Sequence, residues 1–199
     1  MSDSQQIKPE PTDFNSKRLK PNQGIIFMSL IRDNSSATFT HVGLSMEFVN
    51  DQDGGQGSLS FPAKFSGFGN AFPTNDGRKM TGGVMAYTLP AGHYHLKNYR
   101  MINSNPYFTQ IWSAREDFDI PFTVRPGRAT YLGEIEADGV HGKNLLGFNA
   151  LAAAVFRISS NPGRDIPLFM KKYPGIDPSL IVTSPIEAGN VPVELVQIQ

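Results

Sequence analysis

Hydrophobic and polar residues alternate along much of the chain, with the period of two that is typical of half-buried strands. The segment 40–49 has one apolar face, formed by Val42, Leu44, Met46 and Phe48. The same alternation occurs around 94–96 and 118–124, whereas Gly24 to Ile31 is continuously apolar, as in a core strand. Further strands are predicted at 58–65, 84–89, 129–136, 151–158 and 191–198.

Turn sequences separate these predicted strands. The Gly- and Asp-rich segment 51–57 indicates one turn, and Pro90 fits the second position of another. The segment 125–128, Arg-Pro-Gly-Arg, has the Pro and Gly that a type II turn requires. We therefore expect 118–124 and 129–136 to form a hairpin. In it, Tyr131 and Ile135 face inward and Pro121 lies at an edge or bulge.

One segment carries helical signals. Asp165 is expected to cap a helix whose first turn contains Pro167, and Lys171 and Lys172 lie at its carboxyl end. Pro174 follows and would stop the helix. The sequence thus predicts one short helix near 165–173.

Seven or eight strands with one small helix predict an all-β fold, specifically an antiparallel β-sandwich. The length of 199 residues favours a single domain. Residues 1–22 combine Ser, Gln, Lys and Pro with few apolar residues, which is typical of a flexible tether. The predicted sandwich domain therefore spans 23–199.

Composition excludes several classes of function. Lys and Arg total 18, as do Asp and Glu, and this zero net charge argues against a nucleic-acid partner. The absence of cysteine excludes disulfides, thiolate metal sites and a cysteine nucleophile. No apolar run approaches the ~20 residues of a transmembrane helix, and the N-terminal segment contains no signal peptide. Without a nucleophile or dinucleotide motif, we expect a protein that is not an enzyme and uses no cofactor.

Three motifs in the second half consist of turn and core residues: LPAGHYHL (89–96), FTVRPGRATYLGEIEA (122–137) and RDIPLFMKKYP (164–174). In this order they resemble a family of small bacterial envelope lipoproteins and uncharacterised secreted domains. The resemblance covers 89–174 and implies a transthyretin-like or immunoglobulin-like sandwich in the periplasm or cell envelope. It implies no catalytic residues. Because the lipidated cysteine of that family is absent, membrane anchoring would require a lipidated leader that was removed.

Two histidines give a candidate metal site. His93 and His95 share one face of a predicted strand and lie about 7 Å apart. Such a pair chelates a transition metal when a third ligand joins it. That ligand would come from His41, Glu134, Glu136, Asp138 or His141. The alternative is that both histidines simply face solvent.

Acidic segments are weaker candidates. The loop 51–57 has oxygens and glycines that would suit calcium, but it lacks the terminal glutamate of an EF-hand, and a solvated hairpin turn explains it equally well. The group Glu116, Asp117 and Asp119 precedes a strand and is expected to be solvated.

Aromatic residues are concentrated in two predicted loops. One contains Phe68 and Phe72, and the other contains Tyr107 and Trp112. Rings in the loops of a sandwich commonly form binding surfaces for proteins or glycans. The alternative is that they fold back and cover the core.

Three hypotheses follow. The first is a non-enzymatic binding or structural module of the bacterial cell envelope, which contacts a protein or glycan through Phe68, Phe72, Tyr107 and Trp112. The second is a metal-dependent enzyme or metal-binding protein that uses His93 and His95. The third is a subunit of a larger envelope assembly, joined through exposed sheet edges. The sequence leaves the oligomeric state open.

Overall fold

The computed structural model describes residues 10–11, 19–33, 41–64, 71–73, 80–104, 107, 109–114, 116–143, 149–187 and 196–198. Thirteen strands and one α-helix, α1 (Pro162–Lys172), lie in these ranges. The strands are β1 (Glu10–Pro11), β2 (Gln23–Asp33), β3 (His41–Asn50), β4 (Gln56–Lys64), β5 (Ala71–Phe72), β6 (Met80–Pro90), β7 (Gly92–Ser104), β8 (Thr109–Ser113), β9 (Ile120–Val124), β10 (Ala129–Lys143), β11 (Asn149–Ser159), β12 (Ile181–Thr183) and β13 (Val196–Ile198).

The described strands form two sheets. The small sheet has the order β4-β3-β7-β8, and β9 also pairs with β7. The large sheet has the order β1-β6-β2-β10-β11-β13, with β5 on β6 and β12 on β10. The expected all-β fold is confirmed, and most pairs are antiparallel. Three pairs are parallel, which differs from the antiparallel sandwich that we predicted. They are β2–β10, β10–β12 and β11–β13.

Two apolar clusters lie on opposite faces of the large sheet. One fills the space between the sheets, and the other lies between the large sheet and α1. Strand β2 supplies both, with Ile26, Met28 and Leu30 in the first and Ile25, Phe27 and Ile31 in the second. Because β2 is buried on both faces, apolar residues follow one another at 25–28 and 30–31 instead of alternating with polar ones.

Tyr87 connects the two sheets. Its hydroxyl donates to the carbonyl of Ser60 at 2.5 Å and accepts from the Ser60 amide at 2.8 Å. Burial raises the pKa of Tyr87, so the hydroxyl remains protonated. Tyr87 lies on β6 of the large sheet and Ser60 on β4, at the edge of the small sheet. This reciprocal contact satisfies polar backbone groups that an edge strand would otherwise expose.

The predicted hairpin of 118–124 and 129–136 is wrong, although its turn is present. Gly127 has φ of +68°, and the Arg128 amide donates to the Arg125 carbonyl at 3.3 Å. The strands on either side join different sheets, because β9 pairs with β7 and β10 pairs with β2, β11 and β12. The turn therefore carries the chain from the small sheet to the large one. Pro121 lies on β9, which pairs with β7 and with no other described strand. Its expected position on an edge strand is therefore confirmed.

A bulge at Gly133 changes which side chains of β10 face each core. Pairing with β2 shifts register between Tyr131 and Glu134, and Gly133 has φ of +105°. A Cβ at this position would lie 2.7 Å from the carbonyl oxygen of Ser159, so only glycine fits. Tyr131 consequently faces α1, whereas Ile135 faces the core between the sheets. The expectation that both side chains face inward is confirmed, although they face different cores.

Helix α1 begins earlier than predicted. Asn161 is its N-cap and Pro162 its first residue, so Asp165 lies inside the helix and does not cap it. Asp165 is fully buried, where it accepts hydrogen bonds from the Tyr131 hydroxyl at 2.6 Å and Arg164 Nε at 2.7 Å. The earlier start also places Pro167 inside the helix instead of in the first turn. The predicted lysines do occupy the last turn.

Part of the predicted tether is attached to the domain. Glu10 and Pro11 pair with Thr88 and Tyr87 of β6. Leu19 packs against the cluster beneath α1. The rest of the segment 1–18 lies outside the described residues, as does the first part of the predicted strand 191–198.

We predict that Tyr131→Phe lowers the free energy of unfolding by about 1–3 kcal/mol, because the buried Asp165 carboxylate then loses a donor. Urea denaturation of both proteins measures the change. Tyr107→Phe, the same substitution at a side chain that is 92% exposed, is the control and should change stability by less than about 0.5 kcal/mol. Equal stability of Tyr131→Phe and the unmutated protein would contradict this role.

Candidate functional site

The four aromatic residues predicted to form a binding surface occupy different environments. Tyr107 is 92% exposed. Trp112 is partly buried and packs against the core between the sheets. Phe72 is only 6% exposed, and the Arg164 guanidinium lies 4.6 Å from its ring centre. Phe72 therefore does not belong to an exposed surface, which corrects that prediction, and Phe68 lies outside the described residues.

Next to Tyr107, the hairpin of β7 and β8 exposes a second apolar side chain. Ile111 on β8 is 56% exposed and lies opposite the half-buried Ile102 of β7. The next pair, Trp112 and Met101, points into the core, since Met101 is buried. Tyr107, Ile111 and Ile102 are called the hairpin patch below. The sequence analysis missed Ile111 because β8 had no clear alternation to reveal its outward face.

The two histidines point outward from the opposite end of β7, but each has its own partners. His95 Nδ1 lies 2.5 Å from Asp119 Oδ1, and its Nε2 lies 3.0 Å from Asp51 Oδ2. His93 Nδ1 lies 3.2 Å from the hydroxyl of Thr123. Cross-strand register explains this arrangement. His95 pairs with Val49 and Pro121, so Asp51 and Asp119 lie two residues further along the same face.

Hydrogen-bond chemistry constrains the contacts of His95. Ionised carboxylates accept hydrogen bonds but cannot donate them, whereas a neutral imidazole carries a single N–H. The two contacts of His95 are therefore both hydrogen bonds only when both of its ring nitrogens carry a hydrogen. Asp119 has an additional donor, because Lys97 Nζ lies 2.6 Å from the same Oδ1 atom. The hydrogen bond from Lys97, together with His95, holds the pKa of Asp119 below its ordinary value.

The metal site at His93 and His95 stays a prediction. Both ring nitrogens of His95 contact carboxylates. Two of the proposed third ligands lie on the large sheet, where Glu134 bonds to Arg164 and Glu136 lies 3.5 Å from Arg157. Across the described part of the chain, no three or more His, Cys, Asp or Glu side chains form a group that would hold a metal.

The loop proposed for calcium is organised by its own backbone contacts. Asp53 Oδ1 accepts from the Gly55 amide at 2.8 Å, and Asn50 Oδ1 accepts from the Gln52 amide at 2.7 Å. Gly54, with φ of +68°, completes the connection between β3 and β4. These contacts favour a hairpin turn, which places Asp51 beside His95.

A groove of about 310 Å³ lies between the β7–β9 pair and the segment 184–187. Backbone hydrogen bonds fix this segment to β10, from the Ser184 amide to the Tyr131 carbonyl and from the Ile186 amide to the Leu132 carbonyl. The polar and proline side chains in the groove include Asp51, His93, His95, Thr123, Pro185 and Glu187. We call it the histidine groove.

Comparison with known proteins identifies no family for this chain. No protein-family model and no curated protein matches it. A solved leucine-rich repeat protein from Bacteroides thetaiotaomicron is similar at 14% identity and a TM-score of 0.34, over 57% of this chain and 13% of the Bacteroides chain. This likeness is too distant to bear on function. Within the described residues, no helix is long and apolar enough to cross a membrane.

We predict that Lys97→Met raises the pKa of Asp119 toward its ordinary value of 3.8, because the strongest donor to its carboxylate is removed. A carbon-detected NMR titration of the Asp119 carboxyl group measures the shift. A lowered carboxyl pKa stabilises the fold above about pH 4, and this stabilisation is lost when the pH falls below that value. The variant should therefore lose less stability on acidification than the unmutated protein does. The control is Lys171→Met on α1; an unchanged Asp119 pKa in Lys97→Met would contradict the assignment.

Proposed function

We propose that the protein is a non-enzymatic binding module of the bacterial cell envelope that contacts a protein or glycan through the hairpin patch. The observation that carries this proposal is the exposure of Tyr107 and Ile111. Among the described residues, these are the large apolar side chains that remain exposed, at 92% and 56%. Tyrosine combines a large contact area with a polar tip and is enriched where proteins meet their partners.

The arrangement of the layers supports the choice of the small sheet. One face of the large sheet packs on the small sheet and the other carries α1. Glu47 and Ile111 are exposed on the outer face of the small sheet, and the hairpin patch lies at one end of that face. A partner would therefore reach Tyr107 and Ile111 without displacing any described part of the fold.

The envelope location and the sandwich type rest on the three motifs between 89 and 174. Their resemblance to envelope lipoproteins and secreted domains supports an exported protein with a transthyretin-like or immunoglobulin-like sandwich. The mostly antiparallel pairing and the apolar cluster between two sheets are compatible with that type.

A second candidate, a subunit of a larger envelope assembly, is favoured by β8. This strand pairs with β7 and ends the described order of the small sheet, so its outer edge is available for strand addition. The two candidates differ in what binds: the first requires the side chains of the hairpin patch, and the second requires the backbone of β8.

We predict that a photo-crosslinking amino acid at position 107 forms a specific adduct in the native host's envelope fraction. The same amino acid at exposed position 171 on α1 is the control and should form none. Ile111→Ser should abolish the adduct at 107, because it removes apolar area from the contact. Mass spectrometry identifies the adduct as protein or glycan.

Equal labelling from positions 107 and 171, or no adduct from either, would contradict the binding proposal. A proline at position 111 distinguishes the second candidate, because proline removes a backbone donor from β8. If Ile111→Ser retains the adduct and Ile111→Pro loses it while circular dichroism stays unchanged, strand addition is the correct description.

A further inference from the structure

We infer that the histidine groove is a second binding site, which takes a neutral polyhydroxylated ligand of the size of a mono- or disaccharide. The site lies apart from the hairpin patch. His93 and Ser104 stand at opposite ends of β7, separated by roughly 36 Å at ~3.3 Å per residue. The inference therefore does not depend on the contact proposed for Tyr107 and Ile111.

The side chains of the groove offer both kinds of hydrogen-bonding group. Asp51 and Glu187 carry carboxylates, which only accept. His93, Thr123 and Ser184 each have a group that can donate or accept. A hydroxyl of a sugar donates one hydrogen bond and accepts others, so adjacent hydroxyls match this mixture.

The contacts of His95 leave Asp51 able to accept a hydrogen bond from a ligand. A neutral His95 gives its single hydrogen to one of its two carboxylate neighbours. Asp119 also has Lys97, whereas Asp51, with its side chain 44% exposed, lines the groove. When that hydrogen is on Nδ1, the nitrogen with the shorter contact, His95 donates to Asp119, and a ligand hydroxyl can then donate to Asp51.

The size and walls of the groove fit a small ring. Its volume of about 310 Å³ lies near the lower end of the roughly 300–1,000 Å³ found for small-molecule sites. Pro121 and Pro185 contribute apolar surface to opposite walls, against which the C–H face of a sugar ring would pack. The wall at 184–187 is fixed to β10 by two backbone hydrogen bonds, so the groove is largely preformed.

Two other ligand classes fit less well. An amine cation offers only donors, so it would give no acceptor to the Ser184 hydroxyl or to the hydrogen that the His93–Thr123 pair directs into the groove. A metal would have to compete with the carboxylates that already hold both nitrogens of His95. We therefore favour the neutral hydroxylated ligand and use the other two as comparisons in the test.

The test is a titration of the full-length protein with cellobiose, maltose and di-N-acetylchitobiose, followed by NMR of the histidine ring protons. We expect at least one disaccharide to give saturable shifts of His93 and His95 at millimolar concentrations. Asp51→Asn should weaken binding about tenfold, because the acceptor loses its charge. Asp53→Asn, in the same turn but outside the groove, should bind as the unmutated protein does, since asparagine still accepts from the Gly55 amide.

The inference is overturned if no disaccharide shifts these signals, or if putrescine or Zn²⁺ shifts them and the disaccharides do not. It is also overturned if Asp51→Asn and Asp53→Asn weaken binding equally. Tyr107→Ala combined with Ile111→Ser should leave disaccharide binding unchanged. This double variant therefore separates failure of the groove from failure of the hairpin patch.

Discussion

The buried carboxylate of Asp165 is the constraint on which the helix side of the molecule depends. It is fully buried, so its charge is tolerated only because Tyr131 and Arg164 donate to its two oxygens. Arg164 also contacts Glu134, which lies on β10 with Tyr131. Burial and the bond to Asp165 raise the pKa of Tyr131, which keeps its hydroxyl a donor. Removing the charged partner of such a buried ion pair, here Arg164, typically costs about 3–5 kcal/mol, so the first turn of α1 is held on the large sheet.

This attachment determines which surfaces are free for function. The bulge at Gly133 turns Tyr131 and Glu134 toward α1 and leaves the next apolar residues of β10 facing the core between the sheets. Lys172, in the last turn of α1, donates to the Val84 carbonyl on β6 at 2.8 Å. With both ends of α1 fastened, the covered side of the large sheet is not available to a partner. Our proposals therefore use the small sheet, with a protein or glycan contact at one end of β7 and a small hydroxylated ligand at the other.

Local sequence rules predicted the parts of the structure that depend on neighbouring residues. Alternation and apolar runs located most of the longer strands, although not β8, and the Pro-Gly pair at 126–127 located a turn that is present. The rules failed where distant segments decide the outcome. Nothing near Arg125 shows that its flanking strands join different sheets, and nothing near Asp165 shows that Tyr131 will bury it. The candidate site shows the same difference between local and distant effects. Alternation alone correctly placed His93 and His95 on one face of a strand. The link of His95 to Asp51 and Asp119 required the register of three strands.

We propose that the small sheet, and not the side of the molecule that carries α1, makes the contacts of this protein. Hydroxyl-radical footprinting of the protein in cells of its native host, compared with the purified chain, tests it most directly. We expect protection at Tyr107 and Ile111, with unchanged labelling of Leu168 and Met170 on α1. Protection of α1 with full labelling of Tyr107 and Ile111 would contradict it.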